Sequence, residues 1–141
     1  VSAATGRIAA IFVVGGVVEV TKMSRIGSNS PARARSVVQK WIADFSPDIL
    51  ICEDVATCRN KGNHTKGILQ AIADTFSAAK GNDFTLPRIQ RYANKYEEAA
   101  HLAKRYKEIA HLLPKRPPIW KPEPRLMSFF EALALFETFK S

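Results

Sequence analysis

Residues 49–52 (Ile49, Leu50, Ile51, Cys52) are apolar at every position, and the run stops abruptly at Glu53 and Asp54. Successive side chains of a strand point to opposite faces of its sheet. A short, continuously apolar strand is therefore buried on both faces, and that requires cover on both sides of the sheet. The flanking sequence offers helices for this purpose. Ser30 suits an N-cap and Pro31 the first helical position, ahead of an apolar stripe at Val37, Val38, Trp41, Ile42 and Phe45. Ser46, Pro47 and Asp48 end that helix. A second stripe, Ile68, Leu69, Ile72, Ala73 and Phe76, predicts a helix over 65–80 that stops at Gly81 and Asn82.

Residues 7–26 read as a β-hairpin. Two runs of branched and aromatic residues flank Gly15 and Gly16, which supply the positive φ of a tight turn. Residues 84–90 read as a strand near an edge, because Pro87 interrupts it. A long amphipathic helix is predicted over 94–113, with Tyr96, Ala99, Ala103, Tyr106, Ala110 and Leu113 on its apolar side. Residues 114–124 hold five of the eight prolines and exclude helix or central strand. A last helix is predicted over 125–139. The order β-β-α-β-α-β-α-α predicts an α/β fold with helices on a mixed sheet. At 141 residues with no repeat or composition break, the chain reads as one domain.

Apolar residues make up 46% of the chain, which excludes a disordered polar segment. The net charge of +8 favours anionic partners, above all nucleic acid, although a basic soluble protein without such a partner has the same balance. Residues 88–125 carry ten lysines and arginines against four acids, so six of the eight net charges lie there. Cys52 and Cys58 with three scattered histidines make neither a disulfide framework nor a zinc site. No stretch is apolar and long enough for a membrane helix, and the opening residues do not read as a secretion signal. A cytoplasmic location is the expectation.

Glu53 sits at the carboxyl end of a buried strand, where open α/β sheets place ligands; the plainer alternative is a strand-end acid that caps the next loop. Asp54 points the other way by strand alternation. Glu131 lies among Phe129, Phe130, Leu133 and Leu135 and faces either solvent or a polar site, with Ser128 one turn earlier on the same face. Two carboxylates that converge bind Mg²⁺ or Mn²⁺, which prefer oxygen ligands. The loop 59–64 follows Glu53, and Arg59 and Lys61 are placed either to hold a phosphate backbone or to solvate a turn. Lys115, Arg116 and Lys121 flank Trp120, which either stacks on an unpaired base or anchors a proline-rich strap on the core. His64 has the chemistry for proton transfer, but a histidine at a helix start does not usually serve that role.

Residues 46–55 (Ser-Pro-Asp-Ile-Leu-Ile-Cys-Glu-Asp-Val) resemble the fourth-strand segment of RuvC-like Holliday-junction resolvases of the ribonuclease H-like superfamily, and Glu53 matches that segment's metal-ligating Glu. Residues 130–135 (Phe-Glu-Ala-Leu-Ala-Leu) resemble the family's last helix, D-x-x-D-A-L-A-I/L, with Glu131 at the second Asp and Ser128 at the first. Residues 1–6 (Val-Ser-Ala-Ala-Thr-Gly) are similar to the segment just after the first catalytic Asp, D-x-S-x-x-T-G. Lys95 opens the long helix much as a family lysine does. The resemblance spans nearly the whole chain.

It implies a ribonuclease H-like mixed sheet flanked by helices. It also implies metal-dependent phosphodiester hydrolysis on structured DNA, with Mg²⁺ or Mn²⁺ on Glu53 and Glu131. The chain departs from the pattern in two places. The first Asp would lie one residue before Val1, on a central strand that these residues do not include. Ser128 replaces an acid, so two of four expected acids remain, and Asp54 or Glu19 would have to substitute. A missing middle strand leaves two open sheet edges, for which dimerisation or strand exchange is the expected cover, hence a homodimer. The alternatives are a catalytically degenerate nucleic-acid-binding module and a basic oligomerising domain of the same fold.

Overall fold

The computed structural model describes all 141 residues. It contains five strands, β1 (Ser2–Ala4), β2 (Arg7–Val14), β3 (Val17–Ser24), β4 (Ile49–Glu53) and β5 (Asn82–Leu86). Four α-helices accompany them, α1 (Pro31–Phe45), α2 (Asn63–Ala78), α3 (Lys95–Arg105) and α4 (Met127–Lys140). Short 3₁₀ turns occupy Ile26–Ser28, Val55–Thr57 and Lys107–Leu112.

The hairpin forms as expected. Gly15 (φ +59°) and Gly16 (φ +81°) make the two-residue turn, and Val14 pairs with Val17. The ladder slips by one residue between Phe12 and Val13, the position of a bulge. Ser30 caps α1 by accepting the Arg33 amide, and Ser46 ends that helix in the left-handed conformation at φ 45°.

The expected single mixed sheet is instead two small ones: antiparallel β1-β2-β3 and parallel β4-β5. The physical reason is the length of β1. It pairs only with Arg7–Ala9 of β2, whereas β3 pairs with β2 as far as Val14. One hydrogen bond ties the sheets, from the Val1 α-amino group to the Ile51 carbonyl at 2.8 Å.

Helices pack on both sides of the strands, but β4 is not buried on both faces as its apolar run predicts: Leu50 and Cys52 are buried, Ile51 is half-buried and Ile49 at the start of the strand is exposed. On one face Ile8, Ala10, Leu50 and Cys52 pack with Val38 and Trp41 of α1 and Ile68, Leu69, Ile72 and Phe76 of α2. On the other, Ala9 and Val18 pack with Leu102 and Ala103 of α3 and Met127, Phe130 and Leu133 of α4. Neighbouring residues of β2 thus serve opposite cores, which is strand alternation made visible.

Three boundaries differ from expectation. The strand predicted over 84–90 runs over Asn82–Leu86, because Pro87 has no amide to extend the ladder. The helix predicted over 94–113 stops at Arg105, and Lys107–Leu112 is 3₁₀. The tighter winding changes phase and buries Ile109, leaving Ala110 and Leu113 exposed. β1 is a strand that the sequence pattern did not announce. No helix is long and apolar enough to cross a membrane.

Candidate functional site

Glu53 ends β4. Its neighbours at alternate positions, Leu50 and Cys52, face α1 and α2, so Glu53 turns to the α4 side. There it meets Glu131. Residues 127–135 of α4 are buried all round, and a carboxylate on such a helix requires a partner. Both acids are buried, with 4% and 6% of their surface exposed.

The partner they share is Lys61. Its ammonium lies 3.0 Å from Glu53 Oε1 and 3.5 Å from Glu131 Oε2, and it donates to the Ala3 carbonyl at 2.6 Å. Three oxygens from three separate elements, β1, β4 and α4, therefore converge on one point. Glu131 has a second cation, Lys95, at 3.5 Å, and Lys95 also pairs closely with Glu123. Burial opposes the charge on Lys95, but the hydrogen bond it donates to Glu123 and the charges of Glu131 and Glu123 outweigh it and hold the ammonium above the ordinary lysine range. Glu123 also accepts from Arg7 Nη2 at 2.9 Å, and Arg7 Nε donates to the Ser128 hydroxyl at 2.7 Å. The position where the resemblance expects an acid is thus fully buried and engaged by a guanidinium. A further pair, Arg88 with Glu98 at 2.7 Å, braces the cleft wall.

Above these charges opens a polar cleft of about 840 Å³. Glu53, Glu123 and Glu131 line it together with Arg59, Lys61, Arg88, Lys95 and Arg116. Five cations against three acids leave it net positive. Arg59 and Arg116 make no ion pair; Arg116 lies over the Tyr96 ring, 5.5 Å from its centroid, which holds the end of the proline-rich segment at the cleft. Cys58, beside Glu53, has its thiol pushed up by burial and by hydrogen bonding to that carboxylate, so it stays protonated near neutral pH.

The loop after Glu53 borders the site, as its place in the sequence suggested. Arg59, Lys61, Lys95 and Arg116 reach the cleft, whereas Lys115, Trp120 and Lys121 do not line it. Lys61 is engaged with the acids. Trp120 is 84% exposed and Ile119 fully exposed, so Trp120 does not anchor the strap to the core. Asp54 is turned away, capping the following 3₁₀ turn by accepting the Ala56 amide. Glu19 lines a different groove. His64 contacts the Ser28 carbonyl at 2.6 Å and lies outside the cleft. Pattern reading did not single out Arg7, Glu123 or the Ala3 carbonyl. Arg7 and Glu123 are 116 residues apart, and a backbone carbonyl leaves no mark in a sequence.

The donor set suits a hard cation in part. Two carboxylates and a carbonyl converge, and Mg²⁺ commonly keeps several waters beside one or two carboxylates. No group of three or more Asp, Glu, His or Cys side chains gathers anywhere in the chain, and Lys61 holds the convergence point. Such an ion therefore requires Lys61, on the irregular loop before α2, to swing aside. Comparison with protein-family models, with curated proteins and with solved structures finds no match for this chain.

Proposed function

We propose that the cleft binds a nucleic-acid backbone and that Glu53 and Glu131, with the Ala3 carbonyl, accept Mg²⁺ or Mn²⁺ for phosphodiester hydrolysis on structured DNA, as in a RuvC-like nuclease with a ribonuclease H-like fold. The observation that carries this reading is the convergence of the two buried carboxylates and the carbonyl on the floor of a net-positive cleft. A divalent ion held there supplies Lewis-acid activation of water and offsets charge on the leaving oxygen.

The residues of the chain divide the remaining work. Arg59 and Arg116, free of acid partners, hold phosphates by charge-assisted hydrogen bonds. Lys61 neutralises the two carboxylates, and if a cation took that place its ammonium would be free to meet a phosphate in the cleft. Lys95 and Arg7 hold Glu123 and Glu131 in place through their ion pairs. Trp120, projecting from the segment that Arg116 tethers, offers a stacking face to an unpaired base.

The test is cleavage of an end-labelled four-way junction with Mg²⁺ or Mn²⁺ by the wild type, Glu53→Gln and Glu131→Gln. The reading expects cation-dependent cleavage that both substitutions abolish, and equal cleavage by the variants would sink it. A second reading, favoured by the Arg7–Ser128 contact at the expected acid position, is a charge-compensated binding module. It expects salt-dependent junction binding with no cleavage by any of the three proteins.

A further inference from the structure

The proline-rich segment before α4 carries its two most exposed apolar residues at one point. The Pro118 carbonyl accepts the Lys121 amide at 3.0 Å, which closes a β-turn with Ile119 and Trp120 at its two corners. Nothing within the chain covers either side chain: Ile119 is fully exposed and Trp120 nearly so. The turn is held on both sides. Pro117 and Pro118 precede the tip and Pro122 and Pro124 follow it, which fixes φ in both legs. Before the tip, the Arg116 guanidinium lies over the Tyr96 ring. After it, Glu123 pairs with Arg7 and Lys95, and the Pro124 carbonyl accepts from Arg7 Nη2 at 3.5 Å. Arg116 and Glu123 both line the polar cleft, so the turn stands on its rim. A tip ordered in advance loses little conformational entropy on binding.

We propose that the Pro118–Lys121 turn is a wedge that caps an exposed base-pair face, so that the DNA taken by the cleft is DNA with an interrupted stack at a branch point, not continuous duplex. This deepens the nucleic-acid reading of the cleft and rests on it. Lys115, Lys121 and Arg125 flank the turn in sequence and suit phosphates, but the tip itself is uncharged and gains nothing from them. Its ligand is the face of a base. In continuous duplex each base face is covered by its neighbours, and prising one step open costs a few kcal/mol. At a branch point the stack is already interrupted, so stacking on the Trp120 ring carries no such cost.

The anchors also limit where the branch point lies. Trp120 is three residues from Glu123, at most about 11 Å of chain. Glu123 meets Lys95, and Lys95 lies 3.5 Å from Glu131. The tip is therefore within roughly 25 Å of the buried acids, about seven base steps of ~3.4 Å, and the phosphate presented to those acids lies within that distance of the branch.

The test is photo-cross-linking of the whole chain, without divalent cations, to a four-way junction carrying 5-iodouracil at the branch point, to the same junction carrying it about ten base pairs away, and to a linear duplex carrying it at the centre. The wild type should cross-link through Trp120, mapped by mass spectrometry, from the branch-point base alone. It should also bind the junction about tenfold more tightly than the duplex. Ile119→Ser with Trp120→Ser should bring that ratio below about twofold and leave duplex binding and the urea midpoint unchanged. Trp120 cross-links of equal yield from the linear duplex overturn the proposal, as does a junction preference that survives the double substitution. Equal binding of both DNAs that Arg59→Ala weakens overturns the wedge and leaves the cleft reading standing, whereas binding of neither DNA at low salt overturns both. Binding to phosphatidylserine vesicles that the double substitution abolishes, without the branch-point cross-link, assigns the tip to a membrane and overturns the proposal too.

Discussion

Replacing Lys61 by alanine tests whether the buried acids depend on its ammonium. In the wild type this group lies 3.0 Å from Glu53 and 3.5 Å from Glu131. At an effective dielectric of about 20, unit charges at such distances attract by roughly 5 kcal/mol. Lys61 loses hydration to sit there, its side chain being only 18% exposed, and that cost offsets much of the attraction. What the deletion leaves behind decides the outcome. Glu131 keeps Lys95, whereas Glu53 has no other ion-pair partner and its side chain is 5% exposed. Breaking one side of a buried pair costs about 3–5 kcal/mol. We expect Lys61→Ala to lower the unfolding free energy by about 3 kcal/mol, a fall of roughly 1.5 M in the urea midpoint for a slope near 2 kcal/mol/M. The double variant Lys61→Met with Glu53→Gln removes both charges and should lose less than half as much, since no bare carboxylate remains. A loss below about 0.5 kcal/mol for Lys61→Ala, the range of ordinary surface substitutions, would refute the reasoning.

Other outcomes follow from separate parts of the molecule. At Gly81 an added Cβ would lie 3.0 Å from the Pro47 carbonyl oxygen and 3.1 Å from that of Asp48, whereas at Gly62 nothing lies within 4 Å. Gly81→Ala should cost about 1–2 kcal/mol and Gly62→Ala less than about 0.5 kcal/mol by the same urea assay. Arg59→Ala and Arg116→Ala should each reduce the salt slope of DNA binding by about 1, and unchanged slopes would remove them from the phosphate contacts. Trp120→Ala should leave the urea midpoint unchanged while weakening binding to branched or single-stranded DNA by about 1–3 kcal/mol.

The sequence makes some of this legible and hides the rest for identifiable reasons. The Gly15-Gly16 turn and the Ser30 cap follow from local chemistry and are where the pattern places them, whereas β4 is fully buried only on its Leu50 and Cys52 face, Ile49 on the other being 45% exposed. Glu53 and Glu131 stand out because a charge beside an apolar run is costly without a partner. The identity of that partner is not local. Lys61 looks like any loop lysine until the fold brings Ala3, Glu53 and Glu131 around it. Ser128 reads as a vacant acid position, yet Arg7 fills the space with a cation. The end of α3 at Arg105 was equally hidden. Residues 107–112 have good helical periodicity, but the chain turns to 3₁₀ there as Ile109 enters the core and Tyr106 hydrogen-bonds to Glu137 of α4. In both places long-range packing overrides a local preference.

The most direct test of the central claim, that Glu53 and Glu131 form a cation site which Lys61 holds closed, is an Mn²⁺ titration followed by electron paramagnetic resonance on the wild type, Lys61→Ala and Lys61→Ala with Glu53→Gln. Removing the competing ammonium should tighten Mn²⁺ binding at least tenfold, and removing the Glu53 charge as well should abolish it. Equal binding by all three proteins, or none by Lys61→Ala while it remains folded, would contradict the claim.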